Sequence, residues 1–222
     1  GVTKLIGYRY QDRHATIPAF EGGLEPNGHS IGSLLVFLAR LGEYSQYRRF
    51  FYGLIVRFNM KQNGLRSQSD MRHSDQVARA SLVEAANADT TATTETLLQS
   101  WDDHVRLFPC RETKGRIRFA GLRAAGGFVI SAEAEDGLVK WAIIQSLVGS
   151  SLKLVLPAKQ PVIVRDAVSH IEVPVQRFLT ADGRSGLEVS CPRGALYELR
   201  SGESVAIDLE PAPSAERNEP RR

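Results

Sequence analysis

Apolar residues recur at helical spacing in the first part of the chain and at strand spacing in the second, with the change near Pro109. From Ser30 to Leu41, Ile31, Leu34, Leu35, Leu38 and Leu41 fall three or four residues apart, which predicts a helix with Ser30 as N-cap and Gly42 as its stop. A second helix follows at once: Tyr47, Phe50, Phe51, Leu54, Ile55 and Phe58 share a stripe, while Arg48, Arg49 and Arg57 take other faces. The short connection predicts an antiparallel helical hairpin. Its aromatic stripe is assigned to helix packing in preference to stacking on a sugar. Between Lys61 and Asp89 the sequence turns polar, predicting an extended loop with a short helix near Gln76–Ala86. A further helix over about Thr90–Trp101 turns Leu97 and Leu98 inward. Its many threonines make it dependent on packing more than on propensity.

After Pro109 come short apolar or alternating runs: Ile117 and Phe119; Phe128 and Ile130; Leu138, Trp141, Ile143 and Ile144; Leu152, Leu154 and Leu156. Glycine-bearing turn signals separate them, as antiparallel strands require. Glu135-Asp136-Gly137 is the clearest hairpin turn. Further runs at Pro161–Val164, Ser169–Val175, Leu187–Ser190 and Ser204–Leu209 predict a sandwich. The segment Pro211–Arg222, with no large apolar residue, is expected to be disordered.

Charge alters this picture little. Across 222 residues the net charge is +3, with acids and bases interleaved, so no stripe for nucleic acid is visible despite a pI near 9.0. No apolar run approaches the roughly 20 residues of a membrane span. The chain opens at Gly1 without an initiator Met, which reads as a fragment. Cys110 and Cys191 lack metal-ligand spacing and read as two buried thiols, with a bridge as the alternative. The five histidines form no HxH or HExxH pattern, so no metal or cofactor is expected, and Asp102-Asp103-His104 reads as a turn capping a helix-to-strand junction. Arg111, Lys114, Arg116, Arg118 and Arg123 are the residues that would grip a phosphate or acidic sugar, but they read first as the wet face of a strand.

Three segments carry a resemblance: ETLLQSWDDHVRLFP at Glu95–Pro109, GLRAAGGFVISAE at Gly121–Glu133 and DGLVKWAIIQSLVGSSLKLVLP at Asp136–Pro157. In this order they resemble the C-terminal part of glycoside hydrolase family 95, the α-L-fucosidase family, which also includes α-galactosidases. LYELRSGESVAIDL at Leu196–Leu209 resembles its final strands, and GLEPNGHSIGSLLVFLARLGEYSQ at Gly23–Gln46 is a loose match to a late barrel helix. The resemblance implies an α+β chain: a partial helical (α/α)6 barrel domain over residues 1–108, an antiparallel β-sandwich over 109–210 and a tail over 211–222. It also implies inverting hydrolysis, in which one acid protonates the leaving oxygen and a second group activates water across the ring.

The water-handling aspartate of that family sits in a D-G-N-F motif eleven residues before the glutamate of its E-M-L-L-Q-S helix. Counting back from Glu95 reaches Glu84, in VEAANAD, as the implied catalytic carboxylate, with Asn87 as the implied substrate-binding residue. Glu replaces Asp, and Ala85 and Ala86 replace the Gly and Asn. The general acid and paired asparagines have no counterpart here, so they are expected in an upstream barrel portion of the same parent chain or not at all. The chain alone is therefore expected to be inactive. The implied partner is an oligosaccharide or glycan, and the implied compartment is extracellular or periplasmic. A different class of function is a noncatalytic carbohydrate-binding or structural β-sandwich module, with Trp141, Phe128 and Tyr197 as candidate aromatics and Trp141 expected to be buried. A remnant with only a structural role is the third reading.

Overall fold

Of the apolar stripe expected over residues 31–41, Leu34, Leu35 and Leu38 are buried, the last two completely, while Leu41 at the helix end is 56% exposed. The computed structural model describes residues 28–59, 66–67 and 81–202. These divide into two compact units, one built from residues up to Leu97 together with Pro109–Glu112, the other from Leu98–Phe108 and the residues from Thr113 onward.

In the first unit, α1 (Gly28–Arg40) begins two residues before the expected cap Ser30. It ends around Gly42 in a Schellman pair of bonds, Glu43 N–H to the Leu38 carbonyl (2.9 Å) and Gly42 N–H to that of Ala39 (3.2 Å). α2 (Tyr44–Phe50) runs directly into a π-helical stretch, Phe51–Asn59. Tyr47, Phe50 and Ile55 pack with Leu34, Leu35, Leu38, Ala92 and Cys110, with Phe51 partly buried against them, so these stripe residues are core. Arg66–Ser67 (β1) and Ser81–Leu82 (β2) make a short antiparallel pair. α3 (Val83–Leu97) starts seven residues before the expected Thr90, and most of the short helix expected at Gln76–Ala86 lies outside the described residues. Threonine is a poor helix former because it loses χ1 freedom. Here the hydroxyls of Thr90, Thr91, Thr93 and Thr94 each donate to the carbonyl four residues back, at 2.8–3.0 Å.

The second unit contains two five-stranded sheets. One has the order β10-β11-β8-β4-β3, from Gln176–Leu179, Ser185–Cys191, Ser150–Val155, Val105–Leu107 and Leu98–Gln99. The other has the order β5-β6-β7-β12-β9, from Arg116–Ala124, Phe128–Glu135, Leu138–Ser146, Leu196–Ser201 and Val162–Asp166. All neighbours are antiparallel except β4 and β8. Burial alternates along the strands: Phe128, Ile130, Ala132 and Ala134 on β6, Leu152 and Leu154 on β8, Leu187, Val189 and Cys191 on β11. The sheets meet through these faces, and two bonds cross between them: Ser146 Oγ to the Cys191 carbonyl and Tyr197 Oη to that of Ser190, both 3.1 Å. The β6–β7 turn is the expected hairpin, with φ of 48° at Asp136 and 89° at Gly137, both positive as a type I′ turn requires.

Three expectations are corrected. The α+β architecture with barrel helices is not what the described residues form: about 42% lie in strands, and the helices are three short ones. A six-pair helical ring needs an apolar stripe on every helix. Among the described residues of this part, α1, α2 with its π-helical extension, and α3 close on a small core of their own. The barrel came from the motif resemblance and not from periodicity. Second, Ser169–Val175 is a loop joined to β9 by one bridge, Arg165 to Glu172, because Asp166 Oδ1 gathers the N–H groups of Val168 and Ser169 and the Ser169 hydroxyl into a turn. Third, the helix expected to reach Trp101 stops at Leu97, since Leu98 and Gln99 pair with Leu107 and Arg106. The strand expected at Ser204–Leu209 and the tail from Pro211 lie outside the described residues.

Candidate functional site

Glu84 and Asn87 occupy the first turns of α3, three residues apart and both exposed, so they lie on one helix face. The structure thus brings the two residues implied by the resemblance together on an open surface. Inverting hydrolysis requires two carboxyl groups roughly 6.5–9.5 Å apart on either side of a sugar ring. The other two acids of α3 do not complete such a pair: Asp89 is buried, and Glu95 is held by Arg40 at 2.8 Å.

A denser cluster lies in the second unit, at the β3–β4 connection. Asp102 Oδ1 accepts the His104 backbone N–H (3.0 Å), the Asx turn that redirects the chain into β4. Both Asp102 oxygens are also gripped by Arg106, Oδ1 by Nη1 and Oδ2 by Nη2, each at 2.7 Å. The Arg106 guanidinium, with help from the His104 N–H, holds the Asp102 carboxyl below the usual carboxylate range. His104 Nδ1 stands 2.6 Å from Asp103 Oδ1, and Lys153 Nζ stands 3.3 Å from Asp103 Oδ2. Asp102, Asp103 and His104 present ligand atoms within 4.8 Å of one another. Arg106 and Lys153 already supply the positive charge that a metal ion would bring, so these contacts make a neutralised ion-pair network and the expected turn. A depressed carboxyl is also unsuited to donating a proton near neutral pH, which removes Asp102 as a general acid.

Aromatic rings border this network. Trp101 is 54% exposed, and the Arg106 guanidinium carbon lies 5.1 Å from its ring centroid. Phe178 on β10 stacks on His104 at 5.3 Å with 23° between the planes. The register explains how so distant a strand reaches the turn: Phe178, Gly186, Val155 and Arg106 form one row across β10, β11, β8 and β4. Gly186 leaves space for the ring, since a Cβ there would sit 2.3 Å from Phe178 Cζ. The aromatics proposed from sequence fare differently: Phe128 and Tyr197 are buried, and Trp141 is half-buried in β7. Trp101, Arg106 and Phe178 were missed. The available signal is Trp101 standing directly before an acid-rich turn, obscured because the expected helix runs through it.

The remaining candidates are structural. Cys110 and Cys191 are buried free thiols, and burial pushes them up to about 12 and about 11. Lys114, Arg118 and Arg123 are exposed, Arg116 pairs with Glu133 at 2.8 Å, and Arg111 is half-buried, so the basic run forms no single anion grip. A shallow depression of about 310 Å³ is lined by Leu156, Pro157, Lys159, Leu179, Arg184 and Ser185 among others, with no carboxylate for glycoside chemistry. No helix of the described residues is long and apolar enough to cross a membrane.

No protein-family model and no curated protein matches this chain.

Proposed function

We propose that this chain is the noncatalytic, glycan-binding β-sandwich portion of a glycoside hydrolase acting on α-L-fucosides or related α-galactosides by inversion. The observation that carries the reading is where the family-like segments fall. ETLLQS spans the end of α3 and β3; VRLFP is β4 and its exit; GLRAAGGF covers the end of β5, the turn and the start of β6; DGLVKWAIIQS is the next turn and β7; SSLKLVLP is β8 and its exit. From Leu98 to Val155 the similar residues sit at consecutive strands and turns of one sandwich, in family order. They are positions that build strands and turns, and they support a shared scaffold more than shared chemistry.

The catalytic side of the resemblance is thin. Glu84 stands exposed with Asn87 beside it, and one carboxylate cannot serve both faces of a sugar ring. The acid belongs to another part of the parent chain in this reading. The test is retention of the whole chain on immobilised glycans, together with an aryl α-L-fucoside assay. Retention by α-L-fucosyl or α-galactosyl glycans without turnover is expected. Failure to be retained by any glycan overturns the binding role, and hydrolysis abolished by Glu84→Gln overturns the noncatalytic one.

A further inference from the structure

We propose that the open edge of β5 is a docking edge for an extended acidic segment of a partner protein, which adds to the second sheet as a sixth strand. The sheet edges differ in how they are closed. β3 offers two residues and β10 four. The open side of β9 is taken by its own loop, through Val173 N–H to the Val164 carbonyl (2.8 Å) and Asp166 N–H to that of Ile171 (2.9 Å). β5 runs for nine residues, Arg116–Ala124, with β6 on one side and no described strand on the other. Such an edge presents every second N–H and C=O to a further chain, and backbone pairing then holds that chain whatever its source.

Register sets what the added strand must carry. Phe119 stands opposite Ala132 and Leu122 opposite Ile130, both buried, so Ile117, Phe119 and Leu122 face the core while Arg116, Arg118 and Arg123 face out. Ile117 and Leu122 stay half-buried although their partners Ala134 and Ile130 are fully buried, which leaves apolar area for a neighbouring strand to cover. The bulge between Phe119 and Leu122, where the Gly121 N–H turns to Ser131 Oγ (2.9 Å), splits the edge into two runs without closing either. Charge then names the partner. Of the acids on β6 and its turn, Glu133 is held by Arg116 (2.8 Å), Glu135 by Lys140 (3.4 Å), and Asp136 accepts the Gly115 N–H (2.8 Å). Arg118 and Arg123 are exposed with no acid partner among the described residues, and Lys114 adds an exposed base just before the strand. Two β5 edges side by side would gather three arginines from each copy into one ribbon, which disfavours a second copy of this chain. A strand that alternates carboxylates with apolar residues meets Arg118 and Arg123 on the outer face and Ile117 and Leu122 on the inner one.

The experiment titrates the isotope-labelled whole chain, followed by NMR, with three peptides of about ten residues. One alternates glutamate with valine and one lysine with valine; the third copies the first with proline at every second valine, which keeps its charge but cannot pair as a strand. The glutamate peptide is expected to move the backbone amide signals of residues 116–124 saturably, and the other two to leave them still. Arg118→Glu combined with Arg123→Glu should lower its affinity about tenfold or more. Both side chains are exposed, so the double variant is expected to keep the wild-type far-UV circular dichroism. Equal binding of the proline peptide reduces the contact to charge and overturns strand addition. Wild-type affinity in the double variant, movement at β9 or β10 in place of β5, or no binding of the glutamate peptide overturns it as well. Movement of the same signals with chain concentration, in the absence of peptide, assigns the edge to a second copy and overturns the acidic partner. None of these outcomes bears on retention by glycans, so this proposal and the glycan-binding reading fail separately.

Discussion

Replacing Gly149 by alanine is a sharp test of how this sandwich is assembled, because two separable penalties meet there. Gly149 lies between β7 and β8 with φ +86°, in the left-handed region that an L side chain enters at about 1–2 kcal/mol. A Cβ would also fall 2.9 Å from the backbone nitrogen of Arg193. That nitrogen cannot yield cheaply. Its turn is tied down by Gly194 N–H to the Ser146 carbonyl (2.8 Å), Ser146 N–H to that of Ala195 (2.9 Å) and Ala195 N–H to that of Pro192 (3.0 Å). Forcing atoms into a packed position costs about 1–3 kcal/mol, so Gly149→Ala should destabilise by about 2–5 kcal/mol in all. Gly121 is the control: its φ is +68°, and nothing lies within 4 Å of a Cβ built there. Gly121→Ala should therefore cost only the backbone part, about 1–2 kcal/mol. Both tryptophans lie in the second unit, so urea unfolding followed by their fluorescence reports on the sandwich alone. With a slope of about 2 kcal/mol per molar urea, the midpoint should fall by about 1–2.5 M for Gly149→Ala and by about 0.5–1 M for Gly121→Ala. Equal shifts would refute the argument that Arg193 packs rigidly against this turn.

Other outcomes follow from the same geometry. Leu154→Ala removes a fully buried side chain from β8, beside Leu187 and Val105, and should cost about 2–5 kcal/mol in the same urea assay, whereas Leu179→Ala, 69% exposed, should stay within about 0.5 kcal/mol. Asp102, Asp166 and Asp182 are all held below their ordinary range, by Arg106, by the Ser169 and Val168 N–H groups and by the Thr180 hydroxyl respectively. Their stabilisation is therefore present above the unfolded value of about 3.9 and lost as pH falls below it, and a pH series of thermal melts should show Asp102→Asn flattening part of that acid decline. Cys110 and Cys191, pushed to about 12 and about 11, should not react with a thiol reagent at pH 8 until denaturant is added; rapid labelling of the native chain would contradict their burial.

Strand existence was legible because alternation is enforced by burial on one face. Phe128, Ile130 and Ala132 repeat at period two, and the Asp136-Gly137 signal names its own turn type. The extent of the helical part was not legible. Stripes at 31–41 and 47–58 state that two helices pack, but not how many further helices join them, and the family resemblance supplied a barrel that the described residues do not form. The end of α3 was misplaced for a related reason. Leu97 and Leu98 look like one inward face of a helix, yet Leu98 belongs to a strand whose partner, Leu107, is nine residues on. Local periodicity carries no information about such pairing.

The candidate site escaped sequence reasoning through that same error. With the helix carried through Trp101, its indole became one more helical side chain and Asp102-Asp103-His104 a mere cap. Ending the helix at Leu97 puts Trp101 in a turn, 54% exposed beside the Arg106 guanidinium, and puts Arg106 on a strand whose neighbouring register leads through Val155 and Gly186 to Phe178. The strand aromatics Phe128, Tyr197 and Trp141 are mostly turned toward the core by alternation. A sandwich has few places to expose a ring without losing core volume, namely its turns and the outer face of a sheet. Trp101 occupies the first and Phe178 the second. The turn reading of Asp102-Asp103-His104 was right about the backbone, and the hydrogen bonds that make it a turn also hold Arg106 against Trp101.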